Sequence, residues 1–225
     1  MMNNKMLTVQ AIINSYGGKY GKVDYGICKK VKPFKTDNVD GYFCDYKDKF
    51  LIVFRGSTGE ADWIDNFNFK LRDDFFDIKN IKVHSGFLNQ YYKVCYQLKH
   101  ESINKNDIIV CGHSLGGALA TLCSLHLINE FPEKKIRCYT FGSPRVGNRK
   151  FKKLFDSLFI NRTFRFVYNN DTVCKVPLSI MKYYHVKAKF ILNKGKGFKT
   201  FFRKITGTTS DHYPDKYYNA IMDKK

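Results

Sequence analysis

Asp107-Ile108-Ile109-Val110-Cys111-Gly112-His113-Ser114-Leu115-Gly116-Gly117-Ala118-Leu119-Ala120 is the stretch that decides the fold. A short β-branched run, Ile108 to Val110, predicts a strand over 107–111, and Leu and Ala at helical spacing predict a helix over 115–128. Between them stands Gly112-x-Ser114-x-Gly116. A strand that enters a helix through a single residue strains the backbone at the serine, and a Cβ on either flanking residue would meet the neighbouring element. The hydroxyl is then pushed out at the carboxyl end of the strand. An ordinary turn competes with this reading for the bare pentapeptide, but the strand before it, the helix after it and Gly117 favour a nucleophile at Ser114.

A serine made nucleophilic in this way needs an acid and a histidine from later strand ends, in that chain order. Thr163 to Tyr168 reads as a strand and Asn169-Asn170-Asp171 as the turn that follows, which places Asp171 at a carboxyl end. The other acids fit less well: Glu130 and Glu133 flank a helix end, Asp156 lies inside a helical pattern, and Asp211 reads as a helix cap. Of the two later histidines, His185 alternates with Tyr184 and Val186 as a mid-strand side chain. His212, in Thr209-Ser210-Asp211-His212-Tyr213-Pro214, lies on a loop entering the last helix and is the candidate base. His113, inside the motif, is expected to pack against a neighbouring loop.

The tetrahedral oxyanion of such a reaction needs two donors. The backbone N–H of Leu115 lies at a helix N-terminus, where the helix dipole also favours negative charge. The second donor belongs in the loop after an earlier central strand, and Phe50 to Phe54 runs directly into Arg55-Gly56-Ser57, so Ser57 is assigned to that place.

Around these anchors the expected order is an amphipathic first helix, an antiparallel strand pair (42–45 and 50–54), a loop, a helix over 86–100, and the strand and helix flanking Ser114. A strand over 136–141, a helix over 149–159, the strand leading to Asp171, a strand over 184–192 and a final helix follow. Strands alternating with helix-length connections indicate an α/β fold, a mainly parallel sheet covered on both faces. At 225 residues the whole chain, 1–225, suits one domain.

Several blocks, in one order, resemble the class 3 lipase family of α/β-hydrolases. They are Gly41-Tyr42, Phe54-Arg55-Gly56-Ser57, Asp62-Trp63, Val83-His84-Ser85-Gly86-Phe87, Gly112 to Ala120, Phe141-Gly142-Ser143-Pro144-Arg145-Val146-Gly147-Asn148, Asn170-Asp171-x-Val173-x-x-x-Pro177 and Tyr184-His185-Val186. The resemblance runs from about Phe34 to His185, with the His212 loop beyond it; Lys187 stands where the family often has Gly. It implies an α/β-hydrolase fold, a Ser114, Asp171, His212 triad, Ser57 and Leu115 as the oxyanion pair, and a lid around 59–67. It further implies an acylglycerol lipase or related carboxylic ester hydrolase. A phospholipase of the A1 type and a lipid-binding module without catalysis are the other classes in play. In the lid stretch Trp63 and Ile64, between Asp62 and Asp65, suit a segment that hides or exposes an apolar face, or else Trp63 is simply core.

Charge and cysteine usage bear on partners and location. Lys and Arg number 39 against 20 acids, a formal net charge of +19. The window 182–204 is free of acids and holds Lys194, Lys196, Lys199, Arg203 and Lys204 among phenylalanines. Such a window beside a lipase mouth suits docking on an anionic membrane, each cation there contributing about 1 kcal/mol; a solvated lysine-rich loop is the plainer alternative. No base-reading module is present, so no nucleic-acid partner is expected. Seven cysteines in an odd set without a Cys-x-x-Cys pair read as buried thiols, and 1–18 does not read as a convincing export signal. A cytoplasmic location, with peripheral membrane contact at most, is the expectation. No metal-ligand spacing is seen and no cofactor is expected.

Overall fold

The sheet grows outward from the most apolar strands, whose backbone groups must be paired because both faces are covered. The structure is a computed structural model and describes residues 3–19, 24, 26, 28–57, 69–187, 189–192 and 209–223. Its strands are β1 (Lys29–Lys35), β2 (Asp40–Tyr46), β3 (Lys49–Phe54), β4 (Leu71–Arg72), β5 (Val83–His84), β6 (Asp107–His113), β7 (Lys135–Phe141), β8 (Thr163–Tyr168) and β9 (Lys189–Leu192). Seven of them form one sheet in the order β1-β2-β3-β6-β7-β8-β9, while β4 and β5 pair separately. β1, β2 and β3 are antiparallel neighbours. From β3 onward every pairing is parallel.

Helices cover both faces. On one side lie α2 (Ser85–Tyr92), α3 (Cys95–Ser102), α4 (Leu115–Glu130) and α5 (Arg149–Leu158), sharing a core with Phe43, Ile52, Ile108 and Val110. On the other lie α1 (Asn4–Ser15) and α6 (Pro214–Met222), packed on Leu51, Val53, Ile109, Cys111 and Phe166. The alternation of β3 and β6 between these two cores is the period of 2 expected of strands buried on both faces. α4 is buried from Leu115 through Ile128, which is why Leu and Ala continue around its whole circumference. α1 is likewise buried over Leu7 to Asn14 rather than presenting a polar face, its Gln10 and Asn14 bonding one another at 2.9 Å.

Three expectations change. The helix expected over 86–100 is two helices, broken at Lys93-Val94 so that Tyr91, Val94 and Leu98 all reach the core. The strand expected over 184–192 is reduced to an isolated bridge at Tyr184 and the strand β9. Between them the Lys187 N–H donates to Asp156 Oδ1 at 2.7 Å instead of to a ladder. His185 is therefore not a mid-strand side chain; its ring nitrogen meets the Cys174 carbonyl. Asp211 does not cap α6, whose N-cap residue Tyr213 makes no side-chain cap bond. Its Oδ2 accepts instead from the Asn169 side chain at 3.0 Å and the Asn170 N–H at 3.4 Å.

Candidate active site

The parallel register brings three loop starts to one edge. Phe54 of β3 lies opposite Gly112 of β6, and His113 opposite Phe141 of β7, so Gly56-Ser57, Ser114 and Gly142 all emerge at the carboxyl end. One strand further on, β8 ends at Tyr168 and the turn 169–170 delivers Asp171.

Ser114 sits between β6 and α4 with φ 56° and ψ −127°, a conformation that residues with a Cβ rarely adopt. Its N–H donates to the Phe141 carbonyl at 2.9 Å, which fixes the strained residue to the neighbouring strand. The flanking glycines are required by close approach. A Cβ on Gly112 would lie 2.0 Å from the Gly116 carbonyl oxygen, and one on Gly116 would lie 2.5 Å from that of Phe54.

Asp171 is 1% exposed, and its carboxylate is held from three directions. Oδ1 accepts from the Val173 N–H at 2.9 Å, and Oδ2 accepts from His212 Nδ1 at 2.8 Å and from the Tyr217 hydroxyl. Because a carboxylate can only accept, His212 carries its proton on Nδ1, and Nε2 is left as the basic nitrogen. His212 Nε2 and Ser114 Oγ are both buried and without a hydrogen-bond partner. Gly142, at φ 61°, closes the back of the pair: a Cβ there would come within 2.8 Å of Asp171 Oδ2 and of the His212 ring. Burial and the Asp171 charge hold the Tyr217 hydroxyl well above its usual range, so it stays a donor.

A second chain of bonds sets the His212 backbone. The Gly56 N–H donates to the Tyr16 hydroxyl oxygen at 3.1 Å, and that hydroxyl donates to His113 Nδ1 at 2.8 Å. His113 Nε2 meets the His212 carbonyl oxygen at 2.7 Å, and a carbonyl accepts only, so the His113 proton is on Nε2 and the whole chain runs in one direction. The two imidazoles lie 4.6 Å apart, centroid to centroid. Burial first, and then the nearby His212, depress the His113 pKa well below the ordinary histidine value. The ring thus stays neutral. Tyr16 therefore links the loop bearing Ser57 to the backbone that carries His212.

The structure brings Ser114, Asp171, His212 and the start of the Ser57 loop to one place. The lid residues Trp63 and Ile64 and the basic residues Lys194, Lys196, Lys199, Arg203 and Lys204 lie outside the described residues. Tyr16, Gly142 and Tyr217 are neighbours of these residues that sequence reading assigned no role. Of these, only Gly142 carried a local signal, as a glycine directly after the strand β7. His84 and His126 lie elsewhere; burial lowers each to about 4. Among the described residues no group of His, Cys, Asp and Glu is arranged to hold a metal ion, and no helix is long and apolar enough to cross a membrane.

Comparison with known proteins agrees with this geometry. A family model, lipase (class 3), matches residues 51–181. Secreted mono- and diacylglycerol lipase 1 of Fusarium solani is 32% identical over 154 residues, covering 65% of this chain but 45% of the relative. The chain thus spans under half the length of that relative. Phospholipase A1-IIgamma of Arabidopsis thaliana is 28% identical over 147 residues, covering 51% of this chain and 35% of the relative. Among solved structures, a triacylglycerol lipase described as having a serine protease triad at its catalytic centre superposes with a TM-score of 0.80 at 24% identity, covering 93% of this chain and 92% of its own. That likeness shows the α/β-hydrolase fold.

These relatives overturn the expectation of a cytoplasmic location, because the Fusarium protein is a secreted lipase. The physical reason for the error lies in the cysteines. Six of the seven are buried, five of them within the two cores, so their odd number and their spacing reflect packing and do not report the redox compartment.

Proposed function

The chain belongs to the class 3 lipase family, and from that premise we propose that it is a serine ester hydrolase of lipid esters, acylglycerols first, working through Ser114, Asp171 and His212. The observation that carries the reading is the Asp171–His212 pair, 2.8 Å apart, with the imidazole Nε2 left unpartnered, at the sheet edge where the strand-to-helix junction bears Ser114. His212 Nε2 takes the Ser114 proton as Oγ attacks the ester carbonyl, and Asp171 holds the imidazolium that forms. The N–H of Leu115 and a donor from Ser57 stabilise the oxyanion. His212 then protonates the departing alcohol, and water enters by the same route to release the fatty acid and restore the serine.

Ser114 is fully buried and His212 is 1% exposed, so a lipid ester reaches Oγ only after a displacement. We assign that movement to the lid containing Trp63 and Ile64; fluorescence from the single tryptophan shifts when micelles are added if the segment moves, and stays fixed if Trp63 is core.

The deciding experiment is labelling with a fluorophosphonate in the presence of detergent micelles, followed by mass spectrometry. The reading predicts a single modified serine, Ser114, with hydrolysis of a chromogenic short-chain ester lost in parallel. An unlabelled Ser114 in a protein that still cleaves the ester would overturn it, and a protein that binds lipid but cleaves no ester would be the non-catalytic module.

A phospholipase A1-type activity on anionic membranes is the second reading. It is favoured by the net charge of +19 and by the segment after Asp171, which exposes Leu178 (52%) and Ile180 (85%) between Lys175 and Lys182. Fatty acid released from phosphatidylglycerol vesicles, compared with that from triacylglycerol emulsion, separates the two. Sedimentation with the same vesicles after neutralising Lys194, Lys196, Lys199, Arg203 and Lys204 tests whether that window docks.

A further inference from the structure

Cys28 is the residue before β1, and Cys44 lies within β2. Lys29 pairs with Asp45 across the antiparallel ladder, which makes Cys28 and Cys44 diagonal neighbours on the same face of the sheet. Both side chains enter the core beneath α1, alongside Tyr16 and Tyr42. Their sulfurs are in direct contact at 2.7 Å. Among the described residues no other two thiols are bonded to each other.

We propose that Cys28 and Cys44 form a disulfide cross-link that fastens the segment following α1 to the sheet. Cross-strand diagonal positions bring side chains of this length within reach, and closing the bond from direct contact to about 2.05 Å needs only small side-chain rotations. The two thiols differ in a way that sets the order of events. Cys44 is fully buried and donates its S–H to Cys28, which together with burial drives its pKa far up; accepting that bond lowers the Cys28 pKa. Cys28 also keeps 8% exposure, so it is the thiol that an oxidant meets first.

With a small disulfide such as oxidised glutathione as oxidant, the Cys28 thiolate attacks one glutathione sulfur. That sulfur–sulfur bond breaks, releasing one glutathione thiolate and leaving a mixed disulfide on Cys28. Cys44 then loses its proton to solvent and attacks the Cys28 sulfur, expelling the second glutathione. The two cysteines are oxidised by two electrons, and the glutathione disulfide is reduced by two. The product ties the chain that leaves Tyr16 to the strand next to β3. The tyrosine that holds Gly56 and His113 is then anchored from both sides.

The test uses the whole folded protein, incubated for a day at pH 8 with oxidised glutathione or with none. Free thiols are then alkylated under denaturing conditions, and the protein is digested with trypsin without reduction. The expected result is the loss of two of the seven free thiols, with the tryptic peptides 23–29 and 36–47 recovered as one disulfide-linked species. Reduction should separate them. The thermal midpoint of the oxidised protein should stand several degrees above that of the reduced one. The C28S variant, altered at the more accessible partner, should keep its six remaining thiols after the same treatment and show no oxidant-dependent shift. Recovery of both cysteines as alkylated peptides after oxidation, or a linked species joining other cysteines, would overturn the proposal. C44S serves as the second variant and gives the same readout should C28S accumulate poorly.

Discussion

Ser114 and His212 are brought to the same edge of the sheet by opposite means. The serine is placed by backbone: a strand, a helix, two glycines without room for a Cβ, and one bond from its N–H to Phe141. The histidine is placed by side chains drawn from across the chain, with Asp171 at its ring and Tyr217 bonded to that carboxylate, His113 and Tyr16 behind its carbonyl, and Asp211 tying its turn to Asn169. A serine set by backbone geometry tolerates changes in distant residues. A histidine set by a buried polar network is only as well placed as each member of it, because an unpaired buried polar group costs about 1–3 kcal/mol.

The largest break in that comparison is Asp171→Asn. The amide can present an N–H toward His212 and favour the wrong tautomer, and turnover of a chromogenic ester should fall by on the order of 10⁴. Ser114 keeps its strained backbone, since no bond from Asp171 reaches β6, so far-UV circular dichroism should be unchanged. Retained activity with a tenfold loss or less would show that His212 is oriented without the carboxylate.

The same asymmetry decided what sequence could reveal. The Ser114 junction was legible because its causes are contiguous: Ile108 to Val110, the glycines, and Leu and Ala at helical spacing. The turn carrying Asp171 was legible for the same reason, as a strand ending in Asn169-Asn170. His212 could be chosen over His185 from its loop, yet nothing local showed that Tyr16, nearly a hundred residues before His113 in the chain, would meet His113. Asp211 was misread as a cap because caps are local, whereas its partners are Asn169 and Asn170. His185 was misread for the reverse reason. Alternation of Tyr184, Val186 and Ala188 is a strand pattern, but Asp156 on α5 captured the Lys187 N–H that a ladder would have used. Thiol burial was legible, whereas compartment was not.

The next effect is on stability and concerns the histidines that stay neutral. Burial depresses His113, and it brings His84 and His126 to about 4, so all three take up a proton in the unfolded chain before they do so in the folded one. Their contribution is complete above the unfolded value, about 6.5, and is lost as pH falls toward the folded values. Each contributes a slope of about 1.4 kcal/mol per pH unit within that window. Urea midpoints measured from pH 7.5 to 4.5 should therefore be flat above about 6.5 and fall steeply below it. His126→Gln should remove about a third of the slope, since His126 is one of three such groups. It should do so without touching ester turnover at pH 7.5, because His126 lies against Tyr91 and Phe76, far from the Asp171 pair. A midpoint that does not change across pH 6 would show that these histidines are solvated in the folded protein.

The smallest effect sharpens the comparison most, because it separates placing from chemistry. Tyr16→Phe keeps the ring in its contact with His113 but removes the hydroxyl, leaving the Gly56 N–H and His113 Nδ1 without the partner that joined them. The expected cost is about 1–2 kcal/mol in stability, with a loss of roughly tenfold in kcat at nearly constant KM. Fluorophosphonate labelling of Ser114 should slow with it, since both depend on where His212 Nε2 lies. If labelling and turnover hold while the urea midpoint falls, Tyr16 serves the core beneath the sheet and not the base. If both fall together, the placement of His212 runs through the residue that caps the end of the first helix. The part of the site that looks most catalytic is then held in place by a part of the chain that carries no catalytic motif.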